Sequence, residues 1–236
     1  MNTPKAENRW ERILSIEDVD IWRGTLDGPP GKLAELASTL SSEEQKRARQ
    51  YHHTREHSRF ANRRAILRDI LSRYSGIPSH ELRINVTATG KPILMNSRAP
   101  IHFNMAHSRG IALYAISASG PVGVDIEWVD PNADAMAIAG SHFAPDEIAR
   151  LLSAREQERG NLFFRIWTAK EAFLKGTGLG LTSGLDRVVV EFDSATPTHI
   201  CRAYYSDTPS SEAWSVFELP QDSQFVATLA VAPRKN

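Results

Sequence analysis

An α+β fold built from two similar halves is what this 236-residue sequence predicts. Two observations carry the prediction. The order strand, helices, strands occurs twice along the chain, and the turn Ser119-Gly-Pro121 opens the second cycle. No residue-level repeat accompanies it, so the duplication rests on element order alone. The expected halves are 1–118 and 119–236, with the ligand cleft between them, a common place for a binding site.

In the first half, Val19 to Leu26 has strand character and is closed by Asp27-Gly-Pro-Pro-Gly31. Leu33, Leu36, Ala37 and Leu40 have helical spacing. Ser41-Ser-Glu-Glu caps a second helix expected to run through Gln50. Phe60, Ile66, Leu67, Ile70, Leu71 and Tyr74 mark a long amphipathic helix that stops near Gly76 and Pro78. Strands are expected at Leu82 to Thr87, Pro92 to Met95 and Ile111 to Ser117, the first two joined by the turn Thr89-Gly-Lys-Pro92. The second half reads as a strand from Val122 to Val129, a helix over Ala135 to Gly140 and a longer helical stretch from Pro145 to Lys175. Four strands then follow, at Val188 to Phe192, Ile200 to Tyr205, Ala213 to Leu219 and Phe225 to Ala232.

Composition excludes several classes. Lys plus Arg and Asp plus Glu number 28 each, so the net charge is zero and no general electrostatic pull toward nucleic acid exists. The single cysteine, Cys201, rules out an internal disulfide and a thiolate zinc site, which suits a reducing cytoplasm. No signal or transit peptide is read at the start, and no apolar run reaches the ~20 residues of a membrane span.

The chemistry-bearing residues are acidic. Asp125 and Glu127 stand two apart in an apolar strand, so both project from one face, where two like charges are costly unless a cation compensates. Glu171 follows in the helical segment Trp167 to Lys175. This trio suits a hard cation such as Mg²⁺, with Mn²⁺ as a substitute, which prefers oxygen ligands and is commonly shared with substrate phosphates. Phe163, Ile166, Trp167, Phe173 and Leu174 form the expected buried stripe of that helix, leaving Lys170, Glu171 and Lys175 on other faces. Taken alone, Glu171 and Lys175 are an ordinary exposed helix pair. The triple-glycine stop Gly176-Thr-Gly-Leu-Gly180 weakens that reading by allowing close approach of a ligand or backbone. His107 and Ser108 are further phosphate candidates, as are Arg63, Arg64, Arg68 and Lys91, against the ordinary alternative of structural or solvated polar groups.

Gly90-Lys-Pro92, Phe103-Asn-Met-Ala-His-Ser108, Gly123-Val-Asp-Ile-Glu127 and Trp167-Thr-Ala-Lys-Glu-Ala-Phe-Leu-Lys175 together resemble, in order, the motifs of the Sfp-type 4'-phosphopantetheinyl transferases. The resemblance implies that family's pseudo-two-fold α+β fold, with coenzyme A as substrate in the cleft between the halves. It implies transfer of the phosphopantetheine arm to a serine of an apo acyl or peptidyl carrier protein, with release of adenosine 3',5'-bisphosphate. Asp125, Glu127 and Glu171 then correspond to the Mg²⁺ ligands. Arg64, Lys91 with its neighbour Pro92, His107 and Ser108 fall where relatives hold the adenosine and 3'-phosphate. Lys170 and Lys175 match lysines near the pyrophosphate. Glu171 is assigned as the base for the serine proton, directly or through a bound water, and Lys175 as the group that stabilises the leaving phosphate.

A monomer without nucleic-acid or membrane partners is expected, because the two halves are already joined. Two other classes compete: a different Mg²⁺-dependent phosphotransferase, although no P-loop sequence is present, and a catalytically silent module that binds coenzyme A or carrier proteins.

Overall fold

The computed structural model describes residues 10–27, 38–179, 184–194, 200–208 and 212–234. The helix expected around Leu33 to Leu40 falls largely outside them. Strands β1 (Trp10–Ile16), β2 (Val19–Thr25), β5 (His102–Ser108) and β6 (Ile111–Ser117) form an antiparallel sheet in the order β1-β2-β6-β5. Strands β7 (Val122–Trp128), β8 (Val188–Phe192), β9 (Ile200–Tyr205), β10 (Trp214–Leu219) and β11 (Phe225–Val231) form a second in the order β7-β11-β10-β9-β8. The short hairpin of β3 (Ile84–Val86) and β4 (Pro92–Leu94) stands apart. The fold is therefore α+β.

Each large sheet carries a 22-residue helix on one face, α2 (Thr54–Ser75) and α5 (Glu156–Thr177). Ile66, Leu67, Ile70 and Leu71 of α2 bury against Phe103, Tyr114 and Ile116. Phe163, Ile166, Phe173 and Leu174 of α5 bury against Val190, Trp214 and Ala230. Between the sheets lies a third apolar layer, Val19, Ile21, Leu113 and Ala115 against Val124, Ile126 and Leu229. Both long helices end on a glycine in the left-handed region, Gly76 at φ 70° and Gly178 at φ 72°, where a residue without Cβ adopts the turn at no steric cost.

The shorter helices are α1 (Ser42–Ala48), α3 (Ala135–His142) and α4 (Pro145–Ser153). Ser41 and Glu44 make the reciprocal capping box of α1, which stops at Ala48, short of Gln50. The long helical stretch expected from Pro145 is two helices, broken where Ala154 turns extended at ψ 149°. Two strands escaped the sequence reading, β1 and β5. Among the described residues, no helix is long and apolar enough to cross a membrane.

The outer strands β5 and β7 run side by side, and β7 needs partners for its outward N–H groups. Asn104 Oδ1 accepts from Val124 N–H at 3.0 Å, and Ser108 Oγ accepts from Trp128 N–H at 3.0 Å. Polar side chains of one sheet thus complete the edge of the other.

Candidate active site

Helix α5 approaches β7 at backbone contact. A Cβ on Gly123 would lie 1.9 Å from the Ala172 carbonyl and 2.5 Å from the Gly176 nitrogen, and one on Gly176 would meet the Trp214 ring at 2.4 Å. Only glycine fits at these two positions, and the proximity they allow brings Asp125 and Glu127 on β7 to Glu171 and Lys175 on α5.

The cluster carries three carboxylates and one ammonium. Lys175 Nζ lies 2.5 Å from Asp125 Oδ1 and 3.8 Å from Glu171 Oε2. Burial, and next the charge of Asp125, pushes the Glu127 carboxyl up to about 7, and burial does the same to Glu171 against the pull of Lys175. Burial works against the charged form of Lys175, yet Asp125 and then the two glutamates hold its pKa above the usual lysine range. The second oxygen of Asp125, Oδ2, is buried with no hydrogen-bond partner. Hard oxygen donors, one of them orphaned, with two negative charges left uncompensated, fit a divalent cation. Among the described residues no three acidic or imidazole side chains already stand as a coordination shell. The Lys175 ammonium lies within reach of both Asp125 and Glu171.

Next to the cluster opens a cleft of about 270 Å³, walled by Thr89 to Pro92, Asn104, Met105, Leu174, Lys175 and Gly178. The β3–β4 turn is strapped across to the end of α5: Lys91 Nζ donates to the Gly176 carbonyl at 2.5 Å, and the Thr89 hydroxyl donates to the Gly178 carbonyl. A cation on the last carbonyls of a helix is favoured there. Burial lowers the Lys91 pKa to about 8. His107, on β5, is exposed to solvent. The protein packed around it, and next the charges of Arg63, Lys175 and Arg59, hold its pKa down to about 4. Unprotonated among three cations, it belongs to a region suited to an anion.

The structure thus gathers Asp125, Glu127, Glu171 and Lys175 in one cluster, sets Lys91 and Pro92 beside it, and leaves His107 under the charges of Arg63, Lys175 and Arg59. Three expected contacts are placed differently. Arg64 is turned to Glu44, with Nη2 2.6 Å from its carboxylate, and the arginines that act on His107 are Arg63 and Arg59. One residue along a helix is about 100° of rotation, which separates the side chains of Arg63 and Arg64. Ser108 is buried with its hydroxyl engaged, donating to Glu127 Oε2 at 3.1 Å and accepting from Trp128 N–H, so it holds a carboxylate of the cluster. Lys170 is not on an open face of α5. Its side chain is 0% exposed and its ammonium is 2.6 Å from Glu147 Oε2.

Sequence reasoning missed Glu147 and the steric role of Gly123. A glycine inside an apolar strand, two residues before a paired-acid motif, is the signal for the second. Arg63 was legible as a basic residue only, because its direction depends on the fold. Its Nε is buried without a hydrogen-bond partner, and its guanidinium lies 5.4 Å from the Phe60 ring centroid.

The α+β fold thus sets an acidic trio and a lysine beside a Gly-Lys-Pro turn, and comparison with known proteins gives the class of protein to which it belongs. Residues 121–230 match the family model described as the 4'-phosphopantetheinyl transferase superfamily, and residues 28–119 match the model for a 4'-phosphopantetheinyl transferase N-terminal region. The chain is 35% identical to the 4'-phosphopantetheinyl transferase HetI of Nostoc sp. over 97% of its length and 92% of that protein's. It is 30% identical to Sfp of Bacillus subtilis over 63% of this chain and 65% of that one. With ffp of Bacillus subtilis the identity is 30% over 64% and 66%. The chain belongs to the 4'-phosphopantetheinyl transferase superfamily and is an enzyme of that class.

Proposed function

We propose that this enzyme moves the 4'-phosphopantetheine arm of coenzyme A onto a serine hydroxyl of an apo acyl or peptidyl carrier protein, with Mg²⁺ or Mn²⁺, and releases adenosine 3',5'-bisphosphate. The single observation that carries the reading is the charge imbalance of the buried cluster, three carboxylates against one ammonium, at the mouth of the cleft. The pyrophosphate lies against Lys175, between halves 1–118 and 119–236. Arg63, His107 and Lys91 receive the adenosine 3'-phosphate end, with Pro92 against the nucleoside.

Asp125, Glu127 and Glu171 would hold the ion, which when bound would supply positive charge to the pyrophosphate. Ser108 fixes the Glu127 carboxylate for that purpose. Lys175 turns from Asp125 to the leaving phosphate, where charge develops as the bond to the β-phosphorus breaks. The serine oxygen forms the new bond to that phosphorus and its proton passes to Glu171. One chain supplies every group, which supports a monomer, and the cytoplasm is where such a substrate pair would be met.

The test is intact-mass measurement of an apo carrier protein incubated with the enzyme, coenzyme A and Mg²⁺. A gain of one phosphopantetheine unit, matched by adenosine 3',5'-bisphosphate and abolished by chelator, is the expected result. Retained coenzyme A with no change in carrier mass would instead assign a silent binding module.

A further inference from the structure

We infer that Lys170, although it neighbours Glu171 in the motif, touches no substrate and serves with Glu147 as a positioning residue that sets the rotation of α5. This rests on the proposed role of Glu171. Three acceptors surround the Lys170 ammonium: Glu147 Oε2 at 2.6 Å and the carbonyls of Leu185 and His142 at 3.1 and 3.3 Å. An ammonium has three N–H donors, so none remains for a phosphate. The Phe143 ring centroid at 4.9 Å covers it further.

Glu147 is as fully engaged. Its Oε2 also accepts from Ala144 N–H at 2.7 Å, and its Oε1 accepts from Val190 N–H at 3.0 Å. The pair therefore ties α5 at once to the α3–α4 junction, to the turn Leu185–Arg187 and to strand β8. Side chains at 170 and 171 leave the helix about 100° apart, so anchoring the first toward α4 presents the second to β7. A buried ion pair is seldom more stabilising than apolar packing of the same volume, which makes fixing one arrangement its better-attested use. A residue that only stabilised the helix could be apolar. This one specifies which face of α5 meets Asp125.

The experiment compares Lys170→Met, Glu147→Gln and the double variant in kcat, in KM for coenzyme A and in calorimetric coenzyme A affinity. All rates are normalised to the folded fraction. Lys170→Met strands a buried carboxylate, and the expected result is a kcat at least tenfold lower with KM within twofold of wild type. Adding Glu147→Gln removes the stranded charge while keeping an acceptor for Val190 N–H. The double variant should fold, regain most of kcat and bind coenzyme A within twofold of wild type. Were Lys170 a phosphate contact, the double variant would bind coenzyme A at least tenfold more weakly and stay as slow as Lys170→Met. That result overturns the inference, as would a double variant that does not fold, or a Lys170→Met protein with wild-type kcat. Glu171→Gln tests the underlying reading separately, since its turnover decides the base whatever the Lys170 variants show.

Discussion

Glu44 on α1 and the trio around Asp125 are both carboxylates buried beside a 22-residue helix, yet their surroundings are opposite in balance. Glu44 takes Arg64 on one oxygen and Arg68 on the other, at 2.6 and 2.7 Å, and also closes the capping box of α1. Against the cost of burial, Arg64, the Ser41 N–H and Arg68 hold its pKa below the ordinary glutamate value. The Asp125 cluster has one ammonium for three carboxylates, an orphaned oxygen and two acids raised to about 7. A compensated cluster fastens one element to another. An undercompensated one stores a demand for positive charge, and demand of that kind marks the place where a ligand acts.

The contrast is broken most forcefully by Glu171→Gln, which should lower transfer about 10²–10⁴-fold with an unchanged fold, measured by carrier mass shift and circular dichroism. Its counterpart, Glu44→Ala, leaves Arg64 and Arg68 buried without their partner. Stability should fall by about 3–5 kcal/mol in denaturant melts while kcat of the folded fraction changes little. If Glu44→Ala abolished turnover at full stability, the two clusters would not divide as described.

Gly123→Ala is the next largest. Its methyl meets backbone, which cannot rotate away, so α5 must shift from β7 and both activity and stability should fall, the latter by at least the ~1–3 kcal/mol of an overpacked core. Gly176→Ala instead meets a ring. Trimming that ring with Trp214→Leu should restore part of the lost activity to Gly176→Ala and none to Gly123→Ala, read as kcat in both double variants.

His107 gives the smallest effect. Its folded pKa of about 4 lies below the ordinary 6.5, so the unfolded chain takes up a proton first as the solution is acidified. Its contribution to stability is therefore complete above pH 6.5 and is lost as pH falls through that window to 4. His107→Gln should flatten the pH dependence of the melting temperature there, and a curve identical to wild type would remove His107 from the cationic region.

Much of this was legible from residues. Ser41 with Glu44, Gly76 after Leu71, and the Thr89 to Pro92 turn announce their elements through local chemistry. Asp125 and Glu127 show their shared face because a strand repeats every two residues. What escaped has a common physical cause, dependence on distant partners. The polar residues Asn104 and Ser108 hide strand β5, because they satisfy β7 rather than water. Strand β1 carries an irregularity between Arg12 and Leu14 that interrupts its alternation. The break after Ser153 has neither proline nor glycine to mark it. Arg63 and Arg64 are indistinguishable by type, and Lys170 becomes a brace only once Glu147, 23 positions earlier, folds against it.

The central claim is that the acidic trio takes a divalent cation in preference to its single lysine. Because the folded pKa values of Glu127 and Glu171 are raised to about 7 from 4.5, these groups cost stability progressively as pH rises through that window, and a bound cation should return it. Melting temperatures with and without Mg²⁺, at pH 8 and pH 5, in wild type and Asp125→Asn, measure this directly. The account predicts stabilisation by about 2.7 kcal/mol at a hundredfold excess over Kd at pH 8, little at pH 5, and little in Asp125→Asn at either pH. An equal Mg²⁺ shift in wild type and Asp125→Asn, or none in wild type at pH 8, would contradict it.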